Sequence, residues 1–123
     1  MSHQLNVIGG WSLILASLVS GAAIGLGFHR EDFLGGYGSY RRRLLRLGHI
    51  APGALGLVNV VYGLSPTPGG ASGIAGALLL AGAIAMPAVC FLAAWRQPFR
   101  HLFFVPVTLL IAAVLLVLLG FRA

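Results

Sequence analysis

The sequence predicts an all-α membrane protein: four transmembrane helices in an up-down antiparallel bundle, with both termini outside. Three observations carry that expectation. Of 123 residues, 59% are hydrophobic and only 8% are charged, whereas a soluble domain carries about 25% charged residues. Too little polar surface remains to clothe a water-facing exterior, so lipid is the solvent. The apolar residues also fall into four runs, each of a length that lets a helix cross about 30 Å of hydrocarbon at about 1.5 Å per residue. Arginines, finally, gather in the first and third connections between these runs and avoid the second. A membrane barrel would need many alternating segments of about ten residues, and none is present.

The first span is expected over 7–28. No basic segment precedes it, and its apolar run is longer than the roughly 7–15 residues of a secretory leader core, so it reads as a retained helix. Ser17, Gly21 and Gly25 recur at four-residue spacing in it, a ridge of small residues that lets another backbone approach closely. The connection that follows, HREDFLGGYGSYRRR, holds Arg30, Arg41, Arg42 and Arg43. Its GGYGS segment lacks the Gly-Lys-Ser/Thr ending of a phosphate loop and reads as a bend. Ser39 suits an N-cap, so the second helix is expected to begin a turn or two before the hydrocarbon.

The second span is expected over 44–64, with Arg46 in its first turn. SPTPGG then makes an uncharged turn of prolines and glycines. The third span, over 71–95, is small almost all round and is expected to sit centrally, with Pro87 kinking it or loosening one backbone bond. RQPFR supplies Arg96 and Arg100, and the fourth span, over 102–121, is greasier and is expected to face lipid. All eight basic residues are arginine, and seven lie in or beside the two basic connections. By the positive-inside rule these connections are cytoplasmic. Trp95, Phe99 and Tyr37 near that face, and Trp11 and Tyr62 near the other, suit the headgroup levels.

Helical geometry assigns faces. At about 100° per residue, His49 shares an arc with Pro52, Gly53, Gly56, Asn59, Val60 and Gly63, while Ile50, Ala54, Leu57, Val58 and Val61 lie opposite. A small, polar face points into a protein contact. Ser17, Gly21, Gly25, Gly53, Gly56 and Asn59 are therefore the expected packing positions, with Asn59 hydrogen-bonded to a neighbouring helix because an unpaired amide in hydrocarbon is costly.

Histidine raises the one cofactor question. His29, His49 and His101 lie at a common expected depth near the basic interface. Two imidazoles from different helices are what axial ligation of haem b requires, so His49 and His101 are the candidate ligands and His29 a weaker third. Against this stands the ordinary interfacial role of histidine, and His29 and His101 each adjoin an arginine. His3 is expected to be a free surface residue. Glu31 and Asp32 read as an ion-paired loop with Arg30 and not as a metal site. Cys90, the single cysteine, reads as a small buried hydrophobe.

Arg41, Arg42, Arg43, Arg46, Arg96 and Arg100 are the expected contacts to lipid headgroups or to an acidic partner. The sequence shows no nucleophile–base pair, no carboxylate pair and no mid-span ionisable residue of the kind a pump uses, so an autonomous enzyme or transporter is not expected. Neither nucleic acid nor a soluble substrate is indicated. The preferred expectation is a small non-enzymatic accessory or structural subunit of a larger membrane complex, respiratory or photosynthetic, in a bacterial plasma membrane. The alternative is a haem b electron-transfer module.

Overall fold

A computed structural model describes residues 3–66 and 72–121. These form α1 (His3–Gly27), α2 (Tyr40–Leu64), α3 (Ser72–Trp95) and α4 (Phe104–Gly120), with short 3₁₀ segments at Phe33–Gly35 and Gln97–Phe103. No strand occurs among the described residues. All four helices, the last taken with its 3₁₀ lead-in, are long and apolar enough to cross a membrane. Most of the turn expected at 65–70 lies outside the described residues, as does Arg122.

The helix ends differ from the apolar runs for local reasons. Helix α1 starts a turn earlier than its hydrophobic run because Asn6 and His3 are held by neighbouring helices. Helix α2 starts directly after Ser39, whose hydroxyl accepts from the Arg42 amide and donates to the Leu34 carbonyl at 2.7 Å. The bend before it turns through Leu34, Gly35 and Gly36 at φ of 52°, 88° and 92°. The two glycines adopt this left-handed region freely, whereas for a leucine it costs about 1–2 kcal/mol. At the other connection Pro98 opens the 3₁₀ segment. Pro106 sits in the first turn of α4, where its missing N–H costs least. Helices α2 and α3 run on as single helices through Pro52 and Pro87.

The helices pack antiparallel in chain order. Gly10 meets Gly56, and Gly53 meets Ser17, across α1 and α2. Gly48 lies against Cys90 and Phe91 across α2 and α3, and Gly82 against Leu109 and Leu110 across α3 and α4. Helix α3 has a seam with each of the other three, whereas α1 and α4 share none. Helix α4 likewise shares no seam with α2, so it packs on α3 and the bundle is open beside it. One apolar cluster joins Tyr62, Ala75, Leu79 and Ala113; the other joins Leu44, Ala93 and Ala94, with Phe99 and Phe103 packed on it. The opposite face of α2 is bare, with Ile50, Leu57 and Val61 each more than half exposed. In water such a surface would aggregate; in lipid it is already solvated.

Candidate functional site

The buried polar side chains, Asn6, Ser17, Arg42 and Asn59, gather on the seam between α1 and α2. On α2 the contact positions step by seven residues: Arg42, His49, Gly56 and Gly63. Opposite them stand Phe28, one residue past α1, and on α1 itself Gly21 with Ser17, Gly10 and the His3–Val7 turn. A seven-residue step is the repeat of a left-handed helix pair, because it keeps one face of each helix against the other. Close approach is built in. A Cβ on Gly56 would lie 2.6 Å from the Gly10 carbonyl oxygen, and one on Gly63 would lie 2.7 Å from that of His3. Gly25, expected on this ridge, has nothing within 4 Å of where its Cβ would be. It drops out because the contact face advances by sevens, and the four-residue series through Ser17 and Gly21 rotates away from it.

At the end of the bundle where the chain begins, Asn6 and Asn59 are both fully buried. Asn6 Nδ2 donates to Asn59 Oδ1 at 2.8 Å and to the Gly76 carbonyl at 2.9 Å, tying α1, α2 and α3 together. Asn59 Nδ2 donates back to the Leu55 carbonyl. Asn59 thus bonds across helices as its place on the arc implied. Its partner Asn6 was not singled out from the sequence, because it precedes the apolar run and looks like interfacial tail. His3 is not free either. Its ring stacks on Tyr62 with centroids 5.3 Å apart and planes within 10°, since helix α1 extends far enough to carry it against α2.

His49 faces inward as the arc required. The Ser17 hydroxyl donates to the His49 carbonyl at 2.6 Å, and His49 Nδ1 lies 3.1 Å from the Ser17 carbonyl oxygen. A carbonyl only accepts, so the proton of a neutral ring belongs on Nδ1 and the lone pair on Nε2. Gly21 makes room for the ring: a Cβ there would lie 2.6 Å from His49 Cε1. His101 is exposed on the 3₁₀ segment, beside a shallow recess lined by Gln97, Pro98 and Arg100. His29 is exposed just past α1. The structure thus seats His49 between two helices and leaves the other two imidazoles on the surface. No cluster of three or more histidine, cysteine or acidic side chains is placed to hold a metal among the described residues. Arg30 and Asp32 form an exposed ion pair at 3.7 Å.

The arginines divide into two groups. Arg42 is buried. Its guanidinium donates to the Phe28 carbonyl at 3.2 Å and to the Glu31 carbonyl at 3.3 Å, and stacks over the Phe28 ring at 4.3 Å. Its Nε has no partner. Arg41 Nε donates to the Ala94 carbonyl at 3.0 Å, and its Nη2 to the Trp95 carbonyl at 3.2 Å. Adjacent arginines at the start of α2 thus close the C-terminal ends of the two helices antiparallel to it. Carbonyls at a helix end lack intrahelical donors and carry partial negative charge, so a cation is favourable there. This geometry explains why cations are tolerated at the positive end of α2. Arg46 reaches the Tyr37 carbonyl and lies over its ring at 4.4 Å, and Arg96 lies over Trp95 at 5.3 Å. Arg43 and Arg100 are exposed.

The fold and this seam define a small multi-pass α-helical membrane protein whose intramembrane polar groups hold helices together. Comparison with family models, with curated proteins and with solved structures finds no match to the chain.

Proposed function

We propose that the protein is a non-enzymatic accessory subunit that packs into a larger membrane assembly, with its arginine-rich end at the cytoplasmic face of a bacterial plasma membrane. The observation that carries this reading is the open side of the bundle. Only 11% of the most apolar stretch of α1, and the same share of α4, is buried within the chain, and these two helices share no seam. The buried polar side chains support it from the other direction. Asn6, Ser17, Asn59 and Arg42 are engaged in contacts between helices or between a helix and its loop, which is the chemistry of a scaffold. In lipid, helices associate through close packing of small residues, and α1 leaves Ala22, Ala23 and Gly25 exposed for it.

Affinity purification from native membranes in mild detergent tests the proposal. The expected result is a fixed stoichiometric set of larger membrane proteins that survives a second, orthogonal column and is lost when Leu118→Arg charges the exposed apolar surface of α4. Migration as a solitary monomer would refute it. For orientation, a membrane-impermeant maleimide applied to intact cells is expected to label Ser2→Cys and to spare Arg43→Cys; the reverse pattern would invert the topology.

A second reading, haem b ligation through His49, draws on one observation. Ligating histidines characteristically donate the other ring N–H to a carbonyl or carboxylate, as Nδ1 is placed to do to Ser17. Protein that stays colourless after expression with ample haem would end it, and a coloured protein whose band survives His49→Ala would do so equally.

A further inference from the structure

We infer that the arginine-rich end carries a discrete site for one anionic glycerophospholipid, centred on Arg41 and Trp95. Two recesses meet there. One, of about 340 Å³, is lined by Tyr40, Arg41, Trp95 and Gln97 along with Ala93 and Ala94. The other, of about 220 Å³, is lined by Leu34, Leu45, Phe91 and Ala94, and again by Arg41 and Trp95. The first offers a guanidinium, a phenol, an indole and an amide. The second is apolar apart from the same guanidinium. Leu45 and Phe91 lie one helical turn deeper in α2 and α3 than Arg41 and Trp95, so the apolar recess leads from the interface toward the hydrocarbon. A polar recess joined to an apolar groove at one shared arginine has the shape of an amphiphile.

The sign of the headgroup follows from charge. At this end of the described chain stand Arg30, Arg41, Arg42, Arg43, Arg46, Arg96 and Arg100 against Glu31 and Asp32 alone. Arg41 is also presented in a fixed pose. Its Nε and one Nη2 proton are held by the Ala94 and Trp95 carbonyls, which leaves Nη1 and the outer Nη2 proton side by side to donate. That planar pair matches two oxygens of a phosphodiester. Trp95 is 65% exposed and Tyr40 40% exposed, so both can flank a headgroup at the level where such rings prefer to sit, with Arg96 already over the indole ring. Leu34 adds a structural sign: a leucine held at φ 52° and ψ 34° by the Ser39 hydroxyl bond contributes its side chain to the apolar recess.

Native mass spectrometry of the full chain, released from micelles doped with phosphatidylglycerol, phosphatidylcholine or water-soluble glycerophosphoglycerol, tests the site. The expected result is one retained phosphatidylglycerol, with at least tenfold preference over phosphatidylcholine and no measurable retention of the soluble headgroup. Arg41→Gln is expected to lower retention at least tenfold. Because that change also removes two bonds to α3, Gln97→Glu serves as the second variant. It is exposed, keeps those bonds, and sets a negative charge in the polar recess; a similar loss is expected with an unchanged melting profile. Arg43→Gln, exposed and outside both recesses, is expected to leave retention as it was. Equal losses in Arg43→Gln and Arg41→Gln would mean diffuse attraction and overturn the site. So would unaltered retention in Gln97→Glu, equal retention of phosphatidylcholine, or binding of the soluble headgroup.

Discussion

Replacing Asn6 and Asn59 by alanine, singly and together, measures how much of the fold rests on one polar junction. Asn6→Ala removes two hydrogen bonds at once, to Asn59 Oδ1 and to the Gly76 carbonyl. It also leaves Asn59, with no exposed surface, holding an acceptor that neither water nor lipid can satisfy. A stranded buried acceptor costs about 1–3 kcal/mol, and the lost packing adds to this, so a destabilisation of about 2–4 kcal/mol is expected. Asn59→Ala should cost less, about 1–3 kcal/mol, because Asn6 Nδ2 keeps its bond to Gly76. The double variant should fall short of the sum of the singles by the strength of one interhelix bond in a membrane, roughly 0.6–1.7 kcal/mol. Reversible unfolding in bicelles by titration with a denaturing detergent, followed by circular dichroism, gives all three values. Single effects that add to within about 0.3 kcal/mol would show that the two amides are not coupled. A larger loss for Asn59→Ala than for Asn6→Ala would show that Asn6 is not the bridge to α3.

Further outcomes are expected from the same assay or simple variants of it. Gly10→Ala places a Cβ 2.5 Å from the Gly56 oxygen and 2.9 Å from the Val60 nitrogen; both are backbone, so the helices must part, at about 1–3 kcal/mol. Gly25→Ala meets nothing and should leave stability unchanged or slightly improved; equal losses would refute the seven-residue seam. Arg42→Lys loses the planar group that spans the Phe28 and Glu31 carbonyls while stacking on the Phe28 ring, and is expected to cost about 1–3 kcal/mol. Arg43→Lys, at an exposed position, should stay within about 0.5 kcal/mol of wild type. Cys90 has no exposed surface, so a membrane-permeant maleimide should modify it only as the bundle unfolds; fast labelling of folded protein would contradict the packing of α2 on α3.

The arc drawn around His49 shows how far periodicity reaches. Pro52, Gly56, Asn59 and Val60 are buried and Ile50, Leu57, Val58 and Val61 exposed, because rotation per residue is a property of the helix itself. The partners of that arc were not legible. Asn6 and Asn59 are 53 residues apart in sequence, and no local rule pairs them. The Gly25 step failed for the same reason, since spacing within one helix does not specify where a second helix crosses it. Histidines at one depth suggested convergence, but depth fixes only one coordinate. The direction in which His49 and His101 point depends on how α1 and the 3₁₀ segment pack.

What the sequence alone determined is the number of spans, their helical state and the charged end, because hydropathy, helix length and arginine placement are additive along the chain and need no knowledge of neighbours. What only the tertiary structure decided is the use made of the polar groups. Arg41 and Arg42, read from the sequence only as contacts to headgroups or to a partner, also close the ends of α3 and α1. A helix end exposes its carbonyls whatever its sequence, so the side chain that satisfies them is selected by which antiparallel neighbour lies within reach.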